Sequence, residues 1–216
     1  MTHPRLGAYH RRLKQLDHTR KRMESLHGDR HIKLRDISSV YEALFLRAVV
    51  GFELYCETLF YDILTGNIRY SGKKAKCRLT GISVKALRAI LLQGKNYVDW
   101  LPYDSTLRRA QLYIHSPKGD DKIGRPFVEL DSNEKSQLFS IVKIRNAIAH
   151  SSEHALCEFA EKVIGNRPLQ PQERTPCGFL RSLASATPRQ TQFEVWVAAL
   201  GSIATSVLGT PIRGQE

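Results

Sequence analysis

The stretch between Ser39 and Gly66 constrains the fold most, because its residues are apolar on nearly every side of a helix. Ser39 and Glu42 have the spacing of a capping box, and Gly66 is a typical stop signal, so the pattern predicts one helix across this stretch. Its large apolar residues are Leu44, Phe45, Val49, Phe52, Leu59, Phe60 and Ile63. A helix that is apolar all round must be surrounded by other elements, so we expect it at the centre of the fold.

Helical periodicity continues on both sides of this segment. Leu6, Tyr9, Leu13, Leu16 and Met23 form one apolar stripe on a strongly basic N-terminal helix. Start signals predict further helices over residues 83–92, 104–114, 131–149, 153–164 and 187–208, the last one capped by Thr187 and Pro188. No stretch shows the sustained alternation of a strand. We therefore predict an all-α helical bundle, built from long antiparallel core helices with extra N- and C-terminal helices.

Three segments between the predicted helices are irregular. Residues 66–82 are basic and contain glycine, which predicts a loop or a short helix. Residues 116–126 are charged and rich in turn formers, which predicts a loop suited to disorder or to contact with a ligand. Residues 165–178 contain three prolines and predict an irregular connector.

The positive charge of the chain is concentrated in two segments. The 216 residues carry a formal net charge of +12. Residues 1–36 hold ten Lys and Arg against four Asp and Glu, and residues 69–95 hold eight Lys and Arg with no acid. These two segments account for the whole excess, which indicates a polyanionic partner such as nucleic acid. A solvated basic face that serves only solubility is the alternative.

Cysteine usage and hydropathy indicate the compartment. Cys56, Cys77, Cys157 and Cys177 include no CxxC pair and no close Cys/His spacing, which argues against a zinc site or a disulfide framework. No apolar segment follows the first basic residues, and the uncharged run over residues 195–212 is interrupted by glycines and a proline. We expect a cytoplasmic protein without metal or cofactor and without membrane contact.

The helix that starts at Asp131 carries an arginine where an apolar residue is expected. Leu138, Val142, Arg145 and Ala149 fall on one side of this helix, which predicts that Arg145 lies in the middle of the buried face. A buried arginine requires an anionic partner. Asn146 and His150 are one helical turn apart on a neighbouring face. A fixed cation, an amide and an imidazole suit the binding or cleavage of phosphodiesters.

An internal ion pair explains the same arginine without any chemistry. Glu42, Glu53 and Glu57 lie along one stripe of the apolar helix. Such a stripe is usually a solvated edge, which we favour for Glu42. Glu53 or Glu57 are candidates to face inward and to pair with or orient Arg145. The residues alone leave the structural and the chemical interpretation open.

Residues 144–152, with the sequence IRNAIAHSS, resemble the signature of HEPN domains. That signature is an arginine, a gap of four to six residues and a histidine, usually with a polar residue directly after the arginine. Here Arg145, Asn146 and His150 match it. The resemblance extends in outline over residues 38–165, within one domain of residues 1–216. Residues 1–36 form a basic N-terminal helix outside it, and residues 166–216 form a connector and a C-terminal helix.

The resemblance implies a metal-independent endoribonuclease of the prokaryotic toxin–antitoxin or phage-defence type. In this family His150 would transfer protons while a ribose 2′-OH attacks the adjacent phosphate. Arg145 would stabilise the charge on phosphorus, and Asn146 would position the phosphate or the His150 ring. The products would carry 2′,3′-cyclic phosphate and 5′-OH ends. A homodimer with a composite active site and an antitoxin or effector partner are further implications.

Three hypotheses follow for the function. The first is this ribonuclease, with Lys73, Lys74, Lys76 and Arg78 as contacts to RNA phosphates. The second is a non-catalytic RNA-binding or regulatory module of the same family. The third is a structural helical protein in which Arg145 pairs with Glu53 or Glu57.

Overall fold

A computed structural model of the protein describes residues 3–67, 69–70, 73–74, 76–77, 82–92, 96–115, 126–127 and 129–209. The described residues form eight α-helices and six very short strands, which confirms the all-α prediction. The helices are α1 (Pro4–Gly28), α2 (Leu34–Leu64), α3 (Val84–Leu92), α4 (Tyr103–Tyr113), α5 (Ser132–His150), α6 (Glu153–Phe159), α7 (Pro176–Arg181) and α8 (Gln192–Leu208). None of these helices is long and apolar enough to cross a membrane.

The chain divides into two compact units. The first consists of residues 1–52 and 131–203, and the second of residues 53–130 and 204–216. Helices α2 and α8 therefore contribute to both units. The prediction of one domain over residues 1–216 stays a prediction.

In the first unit, α1 and the N-terminal part of α2 pack antiparallel, as predicted for the long helices. The Tyr9 hydroxyl donates a hydrogen bond to the Ala48 carbonyl at 3.2 Å, and the Tyr9 and Phe52 rings lie 6.2 Å apart. Helix α8 joins them, since the Nε2 of His10 lies 3.1 Å from the Gly201 carbonyl. The apolar stripe of α1 is buried there, and Leu6, Tyr9, Leu13 and Leu16 are each less than a tenth exposed.

A buried arginine holds these helices together. Arg20 of α1 is only 5% exposed. Its guanidinium donates to Asp17 Oδ1 at 2.9 Å, to Glu194 Oε1 of α8 at 2.7 Å and to the Tyr41 hydroxyl of α2 at 3.3 Å. Two carboxylates thus compensate one buried cation.

The network around Arg20 extends to α7 through Tyr41. The Tyr41 hydroxyl donates to Glu24 at 2.7 Å, and Arg181 of α7 donates to both oxygens of Glu24. Burial, together with Glu24, raises the pKa of Tyr41 to about 12. Burial alone would raise the pKa of the Glu24 carboxyl, but the hydrogen bonds from Arg181 and Tyr41 outweigh it and hold that pKa below its usual range.

Three short strand pairs were not predicted. In the second unit, β1 (Arg69–Tyr70) pairs antiparallel with β2 (Lys73–Lys74), and β3 (Lys76–Cys77) pairs with β4 (Ile114–His115). In the first unit, β5 (Leu183–Ala186) and β6 (Arg189–Thr191) form a hairpin. Strands of two to four residues are too short to show an alternating pattern.

The second unit has a core of its own, made by the C-terminal part of α2, α3 and α4. The Phe60 ring lies 5.3 Å from the rings of both Trp100 and Phe127. The Tyr55 hydroxyl donates to the Ala204 carbonyl at 2.9 Å, and the Phe127 N–H donates to the Val207 carbonyl at 2.7 Å. Together these contacts fix the end of α8 within this unit.

Two predicted helix starts were wrong. Helix α2 begins five residues before Ser39, because the Asp36 carboxylate already accepts a hydrogen bond from the Lys33 N–H, and Ser39 instead donates to Arg35 within the helix. The Thr187–Pro188 pair lies in the turn between β5 and β6 rather than at the start of α8. Helix α8 is capped by Thr191, which shares reciprocal hydrogen bonds with Glu194.

The Arg20 network predicts that replacing Arg20 destabilises the protein much more than replacing its neighbour Lys21. We expect Arg20→Met to lower the free energy of unfolding by about 3 kcal/mol, because it leaves buried acceptors without their donor. Lys21 also contacts Asp17, at 2.8 Å, but is 61% exposed, so Lys21→Met should cost less than about 1 kcal/mol. Urea unfolding of both variants measures the difference, and equal losses would contradict the proposed role of Arg20.

Candidate functional site

The candidate site lies where α5 ends, within the first unit. A capping box starts α5 at the predicted position: the Glu134 N–H donates to Asp131 at 2.8 Å and the Asp131 N–H donates to Glu134 at 3.2 Å. His150 is the last residue of the helix. Ser151 then adopts a left-handed conformation with φ of 49°, and the Ser152 hydroxyl caps α6 by accepting from the Ala155 N–H. Two serines thus turn the chain directly after His150.

The buried stripe of α5 differs from the predicted one. Leu138, Ile141, Ile144 and Ala147 are almost completely buried, whereas Arg145 is half-buried. These four positions are spaced by three, so the stripe rotates backwards by about 60° at each step along the helix. By the last two turns it has moved away from the side that carries Arg145. The prediction that Arg145 lies in the middle of the buried face was therefore wrong.

Arg145 and Asn146 are in direct contact. The Arg145 Nη1 donates a hydrogen bond to Asn146 Oδ1 at 2.9 Å, and both side chains are half-buried. Because the amide oxygen of Asn146 is occupied, its NH₂ group is the part that remains to donate to a ligand. The contact orients a guanidinium beside an amide on the surface of α5.

His150 lies one helical turn after Asn146 and is exposed. Within the described part of the chain, its ring makes no hydrogen bond with Arg145 or Asn146. The structure therefore brings the first two residues of the motif together and places the third beside them, open to solvent.

The three glutamates considered as partners of Arg145 lie on α2, and the predicted RNA contacts follow that helix in the chain. Glu53 and Glu57 are half-buried residues of α2, and their pairing with Arg145 stays a prediction. Glu42, for which a solvated edge was favoured, is half-buried in the first unit, and burial raises the pKa of its carboxyl. Lys73 and Lys74 form β2, Lys76 begins β3, and Arg78 lies outside the described residues.

An ion pair that the motif did not indicate connects α5 to α6. Lys143 forms an ion pair with Glu158, and its Nζ lies 5.1 Å from the centre of the Phe139 ring. The hydrogen bond from Lys143 holds the pKa of the Glu158 carboxyl below its usual range. His154 is exposed on the same short helix. Next to the motif, α6 thus carries both a carboxylate paired with Lys143 and an exposed imidazole.

The structurally important buried arginine is Arg20, and its position could have been found from the sequence. Arg20 falls between Leu16 and Met23 on the apolar stripe of α1, at the spacing where the next apolar residue is expected. A buried arginine needs carboxylates, and Arg20 has Asp17 and Glu194.

Among the residues that the structure describes, no three His, Cys, Asp or Glu side chains come together as a metal site requires. Cys56, Cys157 and Cys177 are free cysteines.

Comparison with known proteins gave no match for this chain to a family model, a curated protein or a solved structure. The resemblance to HEPN domains accordingly rests on the motif around Arg145, Asn146 and His150.

The turn after His150 predicts that substitutions at two adjacent serines change the free energy of unfolding in opposite directions. Ser151→Gly should raise the free energy of unfolding by about 0.5–1 kcal/mol, because glycine adopts a positive φ without steric cost. Ser152→Ala should lower it by about 1 kcal/mol, since α6 loses its N-cap. Thermal unfolding of the two variants measures both effects, and a destabilised Ser151→Gly variant would contradict the described end of α5.

Proposed function

We propose that the protein is a metal-independent endoribonuclease of the HEPN type, acting in toxin–antitoxin or phage-defence systems. The observation that carries this proposal is the 2.9 Å hydrogen bond from Arg145 to Asn146, one turn before an exposed histidine. The basic character of the chain supports RNA as the polyanion that meets this site.

In the proposed reaction, the chain cleaves RNA by transfer within one strand. His150 accepts the proton of a ribose 2′-OH, whose oxygen attacks the adjacent phosphorus, and the bond to the 5′-oxygen of the next nucleotide breaks. The leaving 5′-oxygen takes the proton back from the His150 imidazolium, so the products are a 2′,3′-cyclic phosphate and a 5′-OH end and His150 is again neutral. Imidazole suits the step because it gains and loses protons near neutral pH.

Arg145 and Asn146 would act on the phosphate rather than on the proton. A planar guanidinium forms paired hydrogen bonds to phosphate oxygens, and it stabilises the additional charge of the pentavalent state. The hydrogen bond to Asn146 restricts the guanidinium in advance, which lowers the entropy cost of binding the transition state. The NH₂ group of Asn146 would donate to the same phosphate.

A second copy of the chain would complete the site. The motif is on the surface of α5, and within the described residues nothing hydrogen-bonds to the His150 ring. In a homodimer with facing motifs, groups from the partner would orient each imidazole and enclose the phosphate. An antitoxin or effector protein would act by covering this surface.

A non-catalytic RNA-binding or regulatory module is the second candidate. It is favoured by the same feature of His150, because a catalytic base is usually oriented by a hydrogen bond from a further group. In this alternative, Arg145 and Asn146 bind a phosphate and no bond is broken.

His150→Ala should reduce RNA cleavage at least about 100-fold, the contribution typical of a general acid–base residue. Purified protein is incubated in EDTA with a structured RNA, and the cleaved ends are tested for cyclic phosphate. His154→Ala is the matched control, because it removes another exposed imidazole four residues away and should leave the rate unchanged. Equal cleavage by wild type and His150→Ala, or loss in His154→Ala alone, would refute the proposal.

The binding alternative predicts RNA affinity that survives His150→Ala and falls steeply with salt. Neutralising Lys73, Lys74, Lys76 and Arg78 to glutamine should weaken binding and reduce the salt dependence, with fluorescence anisotropy as the measurement. Affinity that is independent of salt would argue against RNA binding through these phosphate contacts.

A further inference from the structure

A groove between α1 and α2 in the first unit is lined by three arginines. Its cavity volume is about 530 Å³. The residues that line it are Ala8, Arg11, Arg12, Gln15, Leu16, Thr19, Leu44 and Arg47. The α1 residues recur at spacings of three and four, so they form one face of that helix, and Arg47 approaches from α2. This volume falls in the range of pockets that bind small ligands or short segments of a polymer.

The groove is positively charged without compensation from its own walls. No aspartate or glutamate is among the residues that line it. Within the described part of the chain, Arg11, Arg12 and Arg47 have no ion pair, whereas Arg20, two to three turns further along α1, has two carboxylate partners. Structural pairing therefore explains Arg20 and leaves the three groove arginines as sites for an external anion.

The Arg12 side chain lies close to Gly51 of α2. A Cβ at Gly51 would lie 3.4 Å from both Cδ and Nε of Arg12. Arg12 is accordingly half-buried against α2. A side chain restricted in this way loses less entropy when it binds an anion.

The other lining residues indicate which part of a polyanion would be bound. Ala8, Leu16 and Leu44 are aliphatic, and Gln15 and Thr19 supply neutral hydrogen-bonding groups. No aromatic ring is among the lining residues that the structure describes, so the groove lacks a platform on which bases could stack. A guanidinium group can donate two parallel hydrogen bonds to the oxygens of one phosphate. The arrangement thus suits a sugar–phosphate backbone rather than base edges.

A membrane surface fits the geometry less well than a strand of RNA. A helix that lies on a membrane inserts its apolar face into the lipid. Leu6, Tyr9 and Leu13 of α1 are buried inside the unit and are not available for that purpose.

We propose that this groove binds the phosphate backbone of single-stranded RNA and does not select among bases. The choice of RNA among polyanions rests on the function proposed above. The groove would be a substrate-holding site on the same unit as Arg145, Asn146 and His150, and its arginines would contribute to affinity rather than to bond cleavage.

The test compares two triple variants that remove the same number of positive charges. The groove variant is Arg11→Gln, Arg12→Gln, Arg47→Gln. The control is Lys14→Gln, Arg22→Gln, Arg35→Gln, which changes exposed residues of the same two helices outside the groove. The probe is a fluorescent uridine oligonucleotide with 2′-O-methyl groups, which lacks the attacking hydroxyl and so measures binding without cleavage.

The groove variant should bind the probe at least about tenfold more weakly than the control variant. A plot of log affinity against log salt concentration should be less steep than for the wild type, by about 2, because each lost phosphate contact reduces the slope by about 0.7. A cytidine probe should bind the wild type as well as the uridine probe does. Equal affinities of the two variants, strong preference for one base, or wild-type binding to phosphatidylserine vesicles but not to RNA would each overturn the proposal. If the triple variant does not fold, Arg47→Gln alone should reduce the slope by about 0.7.

Failure of this proposal is distinguishable from failure of the ribonuclease. Weakened binding by the groove variant, with no cleavage of unmodified RNA by the wild type, would support the groove and refute the enzyme. Cleavage with the same KM in both triple variants would support the enzyme and refute the groove. If the groove proposal and the ribonuclease proposal are both correct, the groove variant should have a raised KM for RNA and an unchanged kcat.

Discussion

The first unit depends on how the charge of Arg20 is compensated. This guanidinium is 5% exposed and is bound by Asp17 within its own helix and by Glu194 at the start of α8. A buried cation without anions would cost more than the surrounding apolar contacts return, so the helices pack only in the arrangement that brings these carboxylates together. Glu194 also accepts hydrogen bonds from Thr191, so the same residue caps α8 and fixes its position against α1.

This arrangement separates the arginines of the first unit into two classes. Arg20 and Arg181 are saturated by carboxylates and hold α1, α2, α7 and α8 in place. Arg11, Arg12 and Arg47 line a groove with no acidic residue among its described lining residues. The packing produced by the first class holds α1 and α2 together, and these two helices carry the groove for which RNA binding is proposed.

Much of the architecture could be predicted because it depends on local patterns. The apolar residues of α2, the capping box of Asp131 and Glu134 and the stripe of α1 each act over a few turns of one helix. The start of α8 could have been found from Thr191 and Glu194, which have capping-box spacing. The β5–β6 hairpin could not, because the Thr187–Pro188 pair suits a turn as well as a helix start.

In the candidate site, too, some features follow from local sequence patterns and others depend on how the helices pack. Local sequence patterns were sufficient to predict the all-α class, the long antiparallel helices and a helix that carries Arg145, Asn146 and His150. Whether Arg20 or Arg145 is buried could not be predicted in this way, because burial depends on the helices that pack against each face. The stripe of α5 rotates away from Arg145, and the stripe of α1 includes Arg20. The groove arginines were likewise found only in three dimensions, since Arg47 meets Arg11 and Arg12 through the packing of two helices.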